Sequence, residues 1–162
     1  RRVDVYMDRA TLERAHQAFE YCFAGAGSYP PILNAVEIAA GEPVSVDGAG
    51  GPITMTGFSQ KHGAIQSLGY RIGDLAYSSD LDDVPQRSLP FLENLSVWVV
   101  DALRYRTHSS HFNVEQAVDW IGRVGARRGI LTNMHQDLDY GELAQALPPH
   151  VEPAYDMMVV VP

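Results

Sequence analysis

The chain has 162 residues, 46% of them hydrophobic and 20% charged, an ordinary balance for a single globular domain. A formal net charge of −8 argues against binding along a nucleic-acid backbone, which needs clustered Lys and Arg, though a metal ion can still supply local positive charge for a phosphate substrate. The lone Cys22 has no partner for an intrachain disulfide, no apolar run approaches the ~20 residues that span a bilayer, and no signal-peptide pattern is seen; a cytoplasmic setting fits.

Arg1-Arg2 leads directly into VDVYM (3–7), which reads as a strand. A start without Met or lead-in suggests a chain cut from something longer. A helix is expected over roughly 9 to 23, with Asp8 or Thr11 as N-cap. Leu12, Ala15, Phe19 and Cys22 form its apolar face, and Cys22 reads as a core residue. AGAGSYPP (24–31) is a loop by its Gly and Pro. NAVEI (34–38), PVSV (43–46) and ITMTGFS (53–59) read as strands. DGAGGP (47–52) lacks Lys-Ser/Thr and a following helix, so it is a hairpin turn rather than a phosphate loop. GYRIG (69–73) and LAYSS (75–79) form a second hairpin, and a short helix follows around 86 to 93. LSVWVVDA (95–102) is nearly all apolar, as in a strand covered on both faces.

The clearest helix starts at Asn113, where Gln116 completes a capping box. Val114, Ala117, Val118, Ile121 and Val124 form its stripe, and Gly125 ends it. RGILT (128–132) is the next strand, a short helix begins near Tyr140, and VEPAYD and MMVVV read as a final pair of strands. Hairpins in the first half and strand–helix alternation in the second imply an α/β fold of sheet layers covered by helices.

Six histidines are present, and four fall at ends of elements. His62 follows one strand, His108 and His111 lie in the loop after 95–102, and His135 follows 128–132. Asp80 ends LAYSS. Strand ends in layered α/β folds converge on one rim, where imidazole and carboxylate suit Zn or Mn. The plainer readings are solvated loop histidines and a turn-capping Asp80 in SSDLDD. His16 reads as helix surface and His150 as exposed loop. No HxxEH, HExxH, CxxC or GxSxG element is present.

Three longer stretches carry a family resemblance: HGAIQSLGYRIGDLAYSSDLDDVP (62–85), VWVVDALRYRTHSSHFNVEQAVDW (97–120) and ILTNMHQDLDYGEL (130–143), with AYDMM (154–158) at the end. Together they resemble metallo-β-lactamase-fold hydrolases, in particular the phosphoribosyl cyclic phosphodiesterase branch. The resemblance implies part of a four-layer αββα sandwich, with residues 1–162 as one domain. It implies two divalent ions, Zn or Mn, a metal-activated water and a small phosphodiester substrate. His62 would bind the first metal and Asp80 would bridge. His111 would approach substrate as acid or orienting donor, with His108 nearby as a further substrate-binding group. Asp101 would hold ligands from behind. Arg104 and Arg106 are candidates for bidentate phosphate contact, or solvated surface arginines.

The chain departs from the branch at Thr132-Asn133, where the branch has Thr-His with that His on the second metal. Either His135 supplies the nitrogen or Asn133 is a weaker oxygen ligand; imidazole is the better donor. Asp137 and Asp139 would then hold His135 or cap the next helix, capping being the reading for Asp139. The family's HxHxDH motif is absent, so the resemblance implies the C-terminal portion of a longer enzyme, inactive alone and completed by an N-terminal piece or another copy. Dimers are usual in this branch. Hydrolysis of lactones, thioesters or RNA ends, and a degenerate non-catalytic assembly domain, are the alternatives.

Overall fold

A computed structural model describes residues 2–161. Strands β1 (Val3–Met7) and β2 (Leu33–Glu37) pair in parallel as a two-stranded sheet. Helix α1 (Arg9–Ala24) makes the crossover between them, and of the two expected caps Asp8 serves, its carboxylate accepting from the Thr11 N–H at 2.8 Å. The expected apolar face of α1 is not a core face. None of its residues is fully buried, Phe19 is 53% exposed, and Cys22 is only half-buried. A two-stranded sheet is too narrow to cover a helix of 16 residues.

The other seven strands form one mixed sheet in chain order: β3 (Pro43–Gly48), β4 (Gly51–His62), β5 (Ile65–Ile72), β6 (Leu75–Ser78), β7 (Val97–Asp101), β8 (Arg128–Thr132) and β9 (Val151–Pro153). Hairpins join β3 to β6, so these pair antiparallel, and DGAGGP is indeed a turn, with Gly48 facing Gly51. From β6 to β9 the pairs are parallel, with helical or looped crossovers. Because β4 and β6 are each antiparallel to β5, the strands β4, β6, β7, β8 and β9 all point the same way. Their carboxyl ends share one edge, and the site is built there.

Helix α2 (Val114–Val124) follows the sequence pattern closely: the Asn113–Gln116 box forms, and Gly125 ends the helix in the left-handed region at φ 67°. A 3-10 helix spans Gln86–Leu92, and α3 (Tyr140–Ala146) is capped by Asp139. Phe58, Trp98, Val100 and Leu131 from the sheet pack with Ala117 and Ile121 of α2 and Leu143 of α3 to form the core. The continuous apolar run of β7 is thereby explained, since Val97, Trp98 and Val100 are all within 2% of full burial. The last expected strand is absent. Val159 and Val161 are 80% and 76% exposed, outside both sheets. Apolar composition does not make a strand without a neighbour to receive its hydrogen bonds.

Candidate metal centre

His62 is the last residue of β4, one position inside the strand rather than beyond it as the sequence suggested. Asp80 lies two residues past β6 in the left-handed region, at φ 55°. His111 sits in the loop after β7. One ligand atom from each of these three side chains lies within 4.8 Å of the others. The two rings meet edge-on, 4.8 Å between centroids.

The hydrogen bonds to each imidazole show what holds its Nδ1. His62 Nδ1 is 2.7 Å from the Ser110 carbonyl, which only accepts, so the proton is on Nδ1 and Nε2 keeps its lone pair. His111 Nδ1 is 2.6 Å from the Asp101 carboxylate, to which it donates, and the same nitrogen lies 3.9 Å from Asp80 Oδ1. A carbonyl or carboxylate behind Nδ1 is how metal-binding histidines are commonly oriented.

Asp101 closes β7 and is fully buried. It also accepts from the Asn133 amide at 3.2 Å and, at the long distance of 3.4 Å, from the Leu81 N–H. Burial pushes its carboxyl above the usual range, and the His111 ring, the Leu81 N–H and the Asn133 amide pull it only partly back.

The turn that carries Asp80 is tied down on several sides. Ser67 Oγ donates to the Asp80 carbonyl at 2.6 Å, Gln60 Nε2 to the Ser79 carbonyl at 3.0 Å, and the Phe112 N–H to the Leu81 carbonyl at 2.7 Å. Asp82 accepts from the Gly63 N–H at 2.7 Å and pairs with Lys61. Burial alone would raise the Asp82 carboxyl, but the Lys61 ammonium and the Gly63 N–H together hold it below the usual range. Gly63 itself has φ 60°, and a Cβ there would come within 3.0 Å of Ser110 Cβ. Its bareness lets the 108–111 loop close on His62. Gln60, Gly63, Ser67, Asp82 and Ser110 were missed in the sequence. They act through main-chain contacts that no spacing motif records, and SSDLDD offered Asp82 only as one carboxylate among three.

His135 stands outside the cluster, in contrast to the expected set of His62, Asp80 and His135; His111 is the third member. The chain turns at Asn133, at φ 58°, and carries His135 back along Leu103, whose carbonyl its N–H meets at 2.7 Å. Its Nδ1 lies 3.2 Å from Asp137. Arg104 spends Nε and Nη2 on the carbonyls of Arg106 and Thr107, at 3.4 and 3.2 Å, and braces its own loop; Arg106 is exposed. His108 is half-buried, with its ring centroid 5.1 Å from that of His111.

A mixed sheet whose carboxyl edge gathers two imidazoles and a carboxylate, with helices packed on it, is the architecture of metallo-β-lactamase-fold proteins. The chain belongs to the family described as the beta-lactamase superfamily domain, whose model matches residues 1–134. Among solved structures it is similar to a diphosphatase of the PhnP family, at 24% identity and a TM-score of 0.83, over 96% of this chain and 56% of that one. Zinc-bound PqqB from Methylobacterium extorquens is 14% identical with a TM-score of 0.70, over 96% of this chain and 64% of that one. An octanoyltransferase of Porphyromonas gingivalis is 30% identical over 160 residues, 96% of this chain and 32% of that protein. The chain thus spans about a third of that curated relative and under two thirds of both solved structures. Among the described residues no helix is long and apolar enough to cross a membrane.

Proposed function

We propose that the chain carries part of the metal centre of a hydrolase that cleaves a small or cyclic phosphodiester with water. The observation that carries this reading is the convergence of His62, Asp80 and His111 with both imidazoles held by Nδ1. Two imidazoles and one carboxylate suit Zn or Mn, and the lone pair left on His62 Nε2 fits such an ion. When bound, a divalent cation there supplies Lewis acidity, which activates water and neutralises charge on phosphoryl oxygens. The chain's own part is to hold its donors rigidly. Asp101 orients His111, the Ser110 carbonyl orients His62, and Ser67 and Gln60 fix the turn that presents Asp80. Three donors serve one ion; a dinuclear centre takes further ligands from outside this trio.

The likeness to a diphosphatase of the PhnP family supports a phosphate ester as substrate. The octanoyltransferase relative favours a second reading, hydrolysis of an acyl bond such as a thioester or lactone, though this chain matches only a third of that protein.

The test is an assay of the Zn- or Mn-loaded full-length protein, of which this chain is expected to be the C-terminal portion, against cyclic ribose phosphates, bis-aryl phosphodiesters, thioesters and lactones. Metal-dependent turnover of a phosphodiester is expected, with Asp80→Ala losing more than about 10-fold in metal affinity. Turnover confined to acyl substrates establishes the second reading. Failure to bind any divalent ion overturns both and leaves a non-catalytic assembly domain.

A further inference from the structure

The Ser110 peptide unit touches two imidazoles with opposite polarity. Its carbonyl faces His62 Nδ1 at 2.7 Å, while its N–H donates to His108 Nδ1 at 3.3 Å. A carbonyl only accepts and a backbone N–H only donates. One residue therefore sets opposite tautomers. His62 carries its proton on Nδ1 and its lone pair on Nε2; neutral His108 carries its lone pair on Nδ1 and its proton on Nε2. Ser110 Oγ, also 3.3 Å from His108 Nδ1, is placed to donate to the same lone pair.

The His111 ring neighbours both others, its centroid 4.8 Å from that of His62 and 5.1 Å from that of His108. His108 presents an N–H on Nε2 beside the candidate metal cluster. The described residues give His108 Nε2 no acceptor. His111, to which the resemblance gave the donor role, has its Nδ1 on the buried Asp101 carboxylate.

We infer that His108 donates a hydrogen bond to an anionic substrate oxygen, a phosphoryl or leaving-group oxygen, and that it is not a metal ligand. Its role is set by the tautomer that Ser110 imposes. The inference deepens the proposed function and rests on that metal-site reading.

Two measurements test it. Nitrogen-15 spectra of the imidazoles in the metal-free protein, at a pH where they are neutral, are expected to show His108 protonated on Nε2 and His62 and His111 on Nδ1. The same tautomer at all three positions overturns the inference. Second, zinc and then inorganic phosphate are titrated into wild type, His108→Gln, His108→Phe and His111→Ala. Gln places an amide N–H near the position of Nε2, whereas Phe keeps the ring shape and removes the donor. The expected result is zinc affinity within about 2-fold of wild type for both His108 variants and a loss of more than about 10-fold for His111→Ala. Phosphate binding to the zinc form is expected to fall about 10-fold or more in His108→Phe, as for a lost hydrogen bond to a charged acceptor, and to be largely retained in His108→Gln. Zinc loss in His108→Phe equal to that in His111→Ala makes His108 a ligand and sinks the inference. Unchanged phosphate binding in His108→Phe sinks it too. If His62→Ala and His111→Ala leave zinc binding intact, the metal-site reading itself fails, which is a separate outcome from either.

Discussion

Asp101→Ala removes the one carboxylate on which the His111 ring, the Asn133 amide and the Leu81 N–H converge. Each donor then has to find another partner. Leu81 is fully buried and the His111 side chain is 15% exposed, whereas Asn133 is exposed and can turn to water. A buried donor left unpaired costs ~1–3 kcal/mol. Two such donors set the gross loss, and part is offset because the carboxylate was itself costly to bury. The net expectation is a loss of about 2–3 kcal/mol, read as a lower urea midpoint in the metal-free protein. Zinc affinity, read by calorimetric titration, should fall about 10- to 100-fold, because His111 loses the group that fixes its ring and tautomer. Asp101→Asn is the informative companion. It keeps the volume and one acceptor oxygen, but its NH₂ meets donors or, if turned toward His111, reverses that tautomer. Its stability should lie between wild type and Asp101→Ala, while its zinc affinity should fall as far as in Asp101→Ala. If both variants bind zinc within about 2-fold of wild type, Asp101 is a packing group and the reasoning from its hydrogen bonds is wrong.

Two further outcomes follow from the same contacts. Asp82 has a folded-state pKa held below its unfolded value, so its stabilising contribution is present above the ordinary carboxylate pKa of ~3.9 and is lost as pH falls through the lower folded value. The stability difference between wild type and Asp82→Asn, from urea midpoints across pH, should therefore be constant above about pH 5 and shrink below about pH 4; a difference that grows in acid contradicts the assignment. Gly63→Ala should cost about 1–2 kcal/mol for a left-handed non-glycine residue and weaken zinc binding, because its Cβ pushes on Ser110; normal stability and normal zinc binding together would show that the loop does not depend on this close approach.

Much of the fold was legible because local chemistry and tertiary packing agree. Asn113, Gln116, the apolar stripe and Gly125 define α2 by themselves, and the apolar run 95–102 announced a strand buried on both faces. The same logic misled at Phe19 and at the terminal valines, where apolar residues have too little neighbouring structure to bury them. The site was legible as a list of chemistry-bearing residues at one sheet edge. Its membership was not, because whether His111 or His135 reaches His62 and Asp80 depends on how the chain leaves β7 and β8. That is set by left-handed residues and main-chain hydrogen bonds such as His135 N–H to the Leu103 carbonyl.

Asn133 shows how the departure from the branch pattern is absorbed. An amide is a poor ligand for the ions proposed here, and against the resembled branch Asn133 offered at best a weaker oxygen ligand. In the fold it adopts φ 58°, a conformation Asn tolerates better than most side chains, and its Nδ2 donates to Asp101 Oδ1. Asp101 Oδ2 is thereby left to His111 at 2.6 Å and the Leu81 N–H at 3.4 Å, and the carboxylate is held among three donors instead of rotating freely. The residue that breaks the pattern thus steadies the group behind a neighbouring imidazole. Its substitution should be felt first in the orientation of His111, and through that ring at the cluster with His62 and Asp80.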